Sequence, residues 1–305
     1  MPIPDLETRV LSVVVFFVLF TEQVFAQALP QTDIWLAPVN EGLPGRPVKI
    51  NATTGYNNQP HFSTDNMVIY YTLEVPGSDG VSQTDIAAFH LESRTTTMVT
   101  KTTESEYSPT PIPGQNALSV VQVEADQKQR LWAISTDTGE MELILPHAEP
   151  VGYHAWLNDH EVGMFILGDS STLHIGAVGV GESRKVADNI GRTLRRHPQN
   201  NELLFVDKDT KPWQIAAYSP VTNSIQPVMP LFPASEDFTV DGNGNFWTGN
   251  GGKLYRRAPN AVRWELMADF SASGISNISR LAINPAIDNI ALVSEHREKG
   301  VGSNF

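Results

Sequence analysis

The chain has no cysteine among its 305 residues. That absence excludes disulfides, a thiol nucleophile, cysteine-based metal sites and a lipid-anchored N-terminal cysteine. Charge is scarce as well: Asp, Glu, Lys and Arg make up 18%, against about 25% in an ordinary globular domain. What charge there is leans one way, 34 acidic residues against 21 basic, for a formal net charge of −13. Such a surface repels phosphate backbones and anionic headgroups, so nucleic-acid binding and electrostatic membrane attachment are not expected. The sequence carries no GxSxG elbow, HExxH pair, P-loop or dinucleotide fingerprint. Amphipathic helical periodicity is missing after residue 26. Only one long apolar run occurs, the eleven residues Val10 to Phe20. A membrane-spanning helix needs about 20.

That run has another reading. Val24-Phe25-Ala26 follows it and places small side chains at the cleavage positions before Gln27. Residues 1–26 therefore read as a signal peptide, although Arg9 stands against Asp5 and Glu7 where a leader is normally positive. The expectation is a periplasmic or secreted protein with residues 27–305 as one domain. It is expected to be monomeric, with no insertion into membranes after the leader is removed.

The remaining chain is 41% hydrophobic, enough for a sizeable core, with Gly (22) and Pro (21) spread along its length. Two short units alternate. One reads Asp33-Ile34-Trp35-Leu36-Ala37, then Asp85 to Phe89, Arg130 to Ile134, Thr172 to Ile175, Trp213 to Ala216 and Lys253 to Arg256. The other is a strand, a polar turn and a very apolar strand, clearest in Pro60 to Asn66 followed by Val68 to Tyr71. Taking Phe62 as a marker, its counterparts are Pro111, Trp156, Arg196, Val240 and Ile283, at spacings of 49, 45, 40, 44 and 43 residues. A period of 40–50 residues with about four strands per unit defines propeller blades. Asp65-Asn66, Asp159-His160, Gln199-Asn200 and Asn243-Gly244 supply the turns between paired strands. The chain opens on outer strands, Asp33 to Val39 and Pro47 to Ile50, and closes on an inner pair, Leu281 to Val293. The expected fold is thus all-β: a six-bladed β-propeller with four-stranded antiparallel blades. Its ring is closed by N-terminal outer strands pairing with C-terminal inner strands. Glu295 to Phe305 reads as a loose tail.

Residues 60–71, PHFSTDNMVIYY, together with DIWLAPV, resemble the TolB-like (WD40-like) propeller repeat, with Thr64 and Asn66 where that repeat has Pro and Gly. Val240 to Trp247, VDGNGNFW, is more similar to the repeat of gluconolactonase and NHL-type propellers. The resemblance implies the six-bladed fold. It says little of function, because propellers host binding, scaffolding and hydrolysis alike.

The loops leading into the innermost strands contribute Asn57, Asn58, Glu106, Tyr107, Tyr153, His154, Arg192, Glu236, Asp237 and Arg280 to a channel mouth. Of these, Asn58, Glu106, Tyr107, Tyr153, His154, Arg192, Glu236 and Arg280 form the candidate ligand-binding set, with Arg192 and Arg280 placed to take a carboxylate. No catalytic residue, metal ligand or cofactor is assigned. The expected function is a non-catalytic binding or scaffold module for a protein partner or a small polar ligand. The alternative is a metal-assisted hydrolase or lactonase, with Glu106, Glu236, Asp237, Asn57 and Asn58 supplying oxygen ligands against the repulsion of Arg192 and Arg280. A third reading is the propeller of a longer prolyl-peptidase-type enzyme. Asp241 to Asn245 superficially suggests a calcium loop, but its position predicts a hairpin turn. Asn51 and Asn277 begin glycosylation sequons, and Arg192 to Arg196 forms a local basic cluster.

Overall fold

A computed structural model describes residues 29–77 and 80–296. The leader expected over residues 1–26 and the tail beyond His296 lie outside the described residues. Within them, six antiparallel sheets form a ring. Blade 1 runs outward from the axis as Asn57–Phe62, Val68–Pro76, Ser82–His90 and Thr95–Met98. Blade 2 comprises Ser105–Pro111, Ala117–Val123, Gln129–Ser135 and Met141–Leu143. Blade 3 comprises Val151–Trp156, Glu161–Ile166, Thr172–Ala177 and Ser183–Ala187. Blade 4 comprises Ile190–Arg196, Leu203–Asp207, Gln214–Ser219 and Ser224–Pro230. Blade 5 comprises Phe238–Val240, Phe246–Asn250, Lys253–Arg257 and Glu265–Asp269. Among the described residues the only helical element is the 3-10 turn Ser271–Ser273, and no helix is long and apolar enough to cross a membrane.

Each repeat marker falls on the last residue of an innermost strand: Phe62, Pro111, Trp156, Arg196, Val240 and Ile283. The second strands are largely apolar because each blade is covered on both faces by its neighbours. Leu203, Leu204, Phe205 and Val206 are all buried, although alternate side chains point to opposite faces.

Blade 6 is the joint. Its inner strands, Ile278–Ile283 and Asn289–Glu295, pair with Thr32–Asn40, in register from Thr32 opposite Glu295 to Pro38 opposite Asn289. Two short outer pieces, Leu43–Pro44 and Val48–Lys49, complete it. Glu295 and His296 belong to this seam rather than to a loose tail: Glu295 ends the second strand, and the His296 N–H bonds Gln31 O at 3.0 Å. The arrangement hides two edges that would otherwise invite strand addition.

Turn chemistry follows the sequence in kind but not at every position. Asn66 and Gly244 take positive φ (62° and 82°), as the tight turns require. In blade 4 it is Asn201, not Asn200, that does so. In blade 5 the Asp241 side chain accepts the N–H groups of Asn243 and Asn245, the Asn245 amide and, at 2.9 Å, Trp247 Nε1–H. Donors saturate both carboxylate oxygens, so this segment is the expected hairpin turn. Asp241→Ala is expected to cost about 2–4 kcal/mol in urea unfolding, because it orphans the indole N–H of fully buried Trp247 along with the turn amides. A loss below about 0.5 kcal/mol would show that the turn holds without it.

Candidate functional site

Alternation along a strand tells which residues face the axis only while the ladder is regular. Five of the six innermost strands break it. Their registers shift between Asn58 and His61, Tyr107 and Thr110, Val151 and Tyr153, Ile190 and Leu194, and Ile278 and Arg280. Such bulges re-aim side chains. Here they turn a run of residues towards the axis, around a cavity of about 210 Å³. The short inner strand of blade 5 has a regular register and contributes none of the lining.

Two walls of different character face each other across the cavity. Blades 1 to 3 supply Pro60, Pro109, Pro111, Pro113, Ala155 and Trp156. Opposite them, blades 4 and 6 supply Arg192, Arg195, Arg196 and Arg280, and no Asp or Glu lines the cavity. The cavity reaches from the middle of the inner strands to the face on which they end. Pro111, Trp156 and Arg196 are strand-end residues, and Pro113 lies in the turn beyond.

The arginines are not equivalent. Arg195 is largely structural. It faces Asp237 at 3.5 Å and donates to Leu194 O and, across blade 5, to Leu281 O. Burial depresses its pKa, and Asp237 opposes that fall. Arg280 donates to the Tyr153 hydroxyl at 2.7 Å and lies 4.7 Å from that ring's centroid. Burial disfavours its charge, but Tyr153, Asp237 and Tyr56 outweigh that effect and hold its pKa up. Arg192 reaches the backbone oxygen of Ser279, the residue before Arg280, at 3.1 Å, and both arginines line the cavity. Neither Arg192 nor Arg280 forms an ion pair among the described residues.

The hydrogen bonds also fix the histidines. Ser119 Oγ donates to Thr110 O at 3.1 Å and accepts Trp156 Nε1–H at 2.8 Å. Its remaining contact, 2.6 Å from His154 Nε2, is then donated by the imidazole. The reverse tautomer would bury an unpaired Nδ1–H, the costlier orphan. His154 Nδ1 is therefore a bare acceptor, and it has no protein partner. His61 donates Nδ1–H to Phe62 O at 2.9 Å, which leaves its Nε2 as an acceptor. Burial lowers the His154 pKa to about 3, and the channel walls, with Arg195 adding to their effect, lower that of His61, whose side chain is exposed to the channel. Both are neutral at neutral pH, so the arginines carry the positive charge of the cavity.

The structure brings four of the eight candidate residues, Tyr153, His154, Arg192 and Arg280, to the cavity. The other four lie elsewhere. Asn58 is buried and accepts the Gln59 N–H. Glu106 is fully buried and is held by Thr100, Thr102 and Gln122. Tyr107 packs edge-on against Tyr56. Glu236 pairs with Lys208 at 2.7 Å and accepts the Arg192 N–H. Sequence reading did not single out Ser108, His61 or the prolines, and marked Arg195 only as part of the basic cluster. The basic cluster Arg192 to Arg196 was the one signal pointing there.

The oxygen donors proposed for a lactonase-type metal do not assemble. Asn57 Oδ1 accepts Thr53, Asp237 accepts Thr193 and Leu281 N–H, and Glu106 and Glu236 are engaged as described. Among the described residues no three His, Asp or Glu side chains gather at one point. With arginines at the axis, the donor set does not fit a cation there.

Comparison with known proteins defines the architecture. No family model and no curated protein matches the chain. Solved structures do. A putative TolB from Agrobacterium tumefaciens is 12% identical, with a TM-score of 0.62 over 88% of this chain and 99% of that one. The gluconolactonase XC5397 from Xanthomonas campestris is 10% identical, with a TM-score of 0.61 over 88% and 97%. TolB from Acinetobacter baumannii is 11% identical, with a TM-score of 0.58 over 87% of this chain and 64% of that one. The chain is a six-bladed β-propeller, TolB-like in its architecture. At such identities the likeness is one of fold, and it is shared by binding propellers and enzymes alike.

Proposed function

We propose that the chain is an exported, non-catalytic propeller that binds a protein segment or a small polar ligand through its channel. The observation that carries this reading is a cationic, carboxylate-free cavity in a protein whose formal net charge is −13. Side-chain atoms of three cavity-lining residues, Ser108 Oγ, His154 Nδ1 and Arg192 Nε, are buried without a protein partner. Buried polar groups are normally paired, so three around one cavity point to an outside partner. The guanidiniums of Arg192 and Arg280, hydrogen-bonded but not ion-paired among the described residues, favour an anionic group in that partner. Export rests on the apolar run and the cleavage pattern before Gln27. Fold likeness to a gluconolactonase keeps the hydrolase as the rival.

The test is comparative capture from the exported fraction, in which the chain should begin at Gln27. Wild type should retain a molecule that the Arg192→Ala/Arg280→Ala variant releases, and neither should open lactones with calcium or manganese added. Identical retention by the two proteins removes the channel from the function. Lactone turnover that the arginine substitutions abolish makes the protein an enzyme.

A further inference from the structure

The channel-binding reading leaves the ligand's chemistry open, and this inference rests on that reading and narrows it. The cavity presents three different demands. On blades 4 and 6, Arg192 and Arg280 offer N–H donors and positive charge, and no carboxylate pairs directly with either guanidinium among the described residues. On blade 3, His154 lines the cavity, and its Nδ1 is a buried acceptor without a protein donor, a consequence of the bonds its other nitrogen makes through Ser119 to Thr110 O. On blades 1 and 2, Pro60, Pro109, Pro111 and Pro113, which carry no N–H, supply apolar surface between Gln59, His61, Ser108 and Thr110. A bare inorganic anion answers only the first demand. A polyhydroxylated sugar acid answers the first two, but Pro60, Pro109, Pro111 and Pro113 leave its hydroxyls only Gln59, His61, Ser108 and Thr110 as side-chain partners on blades 1 and 2.

We infer that the channel takes the free carboxyl end of a polypeptide whose last residue is apolar. The terminal carboxylate lies on Arg192 and Arg280, the last amide N–H donates to His154 Nδ1, and the terminal side chain packs on the prolines. Capture of chain ends is an established recognition mode. The size agrees: about 210 Å³ is below the roughly 300 Å³ at which drug-sized sites begin, and suits a chain end rather than a folded element. The remainder of the partner leaves by the face on which the inner strands end, where Arg196 is exposed to an acidic or polar segment.

Isothermal titration calorimetry with defined probes tests this without relying on a variant to fold. The peptide acetyl-Gly-Ser-Gly-Leu with a free carboxyl end should bind. Its C-terminal amide should bind at least about tenfold more weakly, the cost of losing a charge-assisted contact. Replacing the last peptide N–H by an ester oxygen should weaken binding about fivefold or more, and His154→Phe should erase that difference while leaving the acid-over-amide preference. Equal binding of acid and amide overturns the carboxylate assignment. Equal binding of peptide and ester by wild type overturns the role of His154. N-acetyl-leucine binding as tightly as the peptide replaces the polypeptide end by a free small acid. If no probe binds at millimolar concentration the chain-end assignment fails, whereas the channel-binding reading stands or falls on the capture experiment.

Discussion

Glu106→Gln should raise the melting temperature above pH 7 and flatten its dependence on pH. Glu106 is fully buried between blades 1 and 2, beside Asp85, which is 4% exposed. Burial, reinforced by the neighbouring Asp85, pushes its pKa up from 4.5 to about 7, and burial raises that of Asp85 too. A carboxyl whose folded pKa lies above its unfolded one binds a proton more tightly in the native state. Its stabilising effect is whole below pH 4.5, declines as the pH rises through the folded value of about 7, and is gone above it. The native protein is penalised there by about 2–3 kcal/mol, which for a domain of this size is about 5 °C or more. Glutamine has the same shape and cannot ionise. Its oxygen can still accept from Thr102 and Gln122, and its amide can donate to Asp85 Oδ1, which has no partner now. The chain already uses this solution one joint away. Thr32, Asp33, Asn51, Thr53 and Asn57 repeat the arrangement of Thr84, Asp85, Thr100, Thr102 and Glu106, with an amide in the place of the glutamate. Thr32 Oγ1 bonds Asn57 O at 2.9 Å, and Thr84 Oγ1 bonds Glu106 O at 3.0 Å. Thermal melts of both proteins from pH 5 to pH 8.5 decide the matter. Parallel curves, or a variant less stable at pH 8, would sink the idea of a proton held at this joint.

Asp237→Ala is expected to cost about 3–5 kcal/mol, among the largest effects of any single change in the channel. Asp237 is 3% exposed and ties three blades together. It accepts the Thr193 hydroxyl at 2.7 Å and the Leu281 N–H at 2.8 Å, and it faces Arg195 at 3.5 Å. Blade 5 has an inner strand of only three residues, so blades 4 and 6 meet across it through this carboxylate and through Arg195 to Leu281 O. Alanine leaves an enclosed guanidinium without its counter-charge and a backbone N–H without its acceptor. Asp237→Asn keeps the shape and part of the hydrogen bonding, and should cost less. Urea unfolding with an unchanged slope measures both. If the alanine variant loses under about 1 kcal/mol, the carboxylate is not what joins the blades.

The fold was legible because its signals are local and repeated. Every blade announces itself by an apolar second strand, an Asn, Asp or Gly turn and a fixed offset, so six weak signals reinforce one another. Even the shared blade could be read, from outer-strand patterns at Asp33 to Val39 and an inner pair at Leu281 to Val293. The site was half legible. Tyr153, His154, Arg192 and Arg280 sit near the middle of their innermost strands, and they do line the cavity. Glu106 and Glu236 stand at or just before a strand start, and they turn into the joints between blades. The difference lies in the bulges, which alternation cannot foresee, and in the donors that await each carboxylate. Ser108, with positive φ at such a bulge, could not be told from an ordinary turn residue. The unpartnered Nδ1 of His154 depends on Thr110 O and Trp156, partners that no spacing rule connects to it.

The seam in blade 6 also sets an order of events during synthesis. Blades 1 to 5 are each continuous in sequence, so each can pair its own strands as it leaves the ribosome. Blade 6 cannot, because Thr32–Asn40 must wait for Asn289–Glu295. Contacts such as Asp33 with His296 join residues 263 apart. Loop-closure entropy rises only with the logarithm of that distance, so completion is late rather than costly. Until then Thr32–Asn40 has only its local partners Leu43–Pro44 and Val48–Lys49, and its inner edge stays open, with Ile34 and Leu36 not yet buried. A nascent chain with its N-terminal strand open in this way is threadable, and it becomes a closed ring only when its last strand has been made.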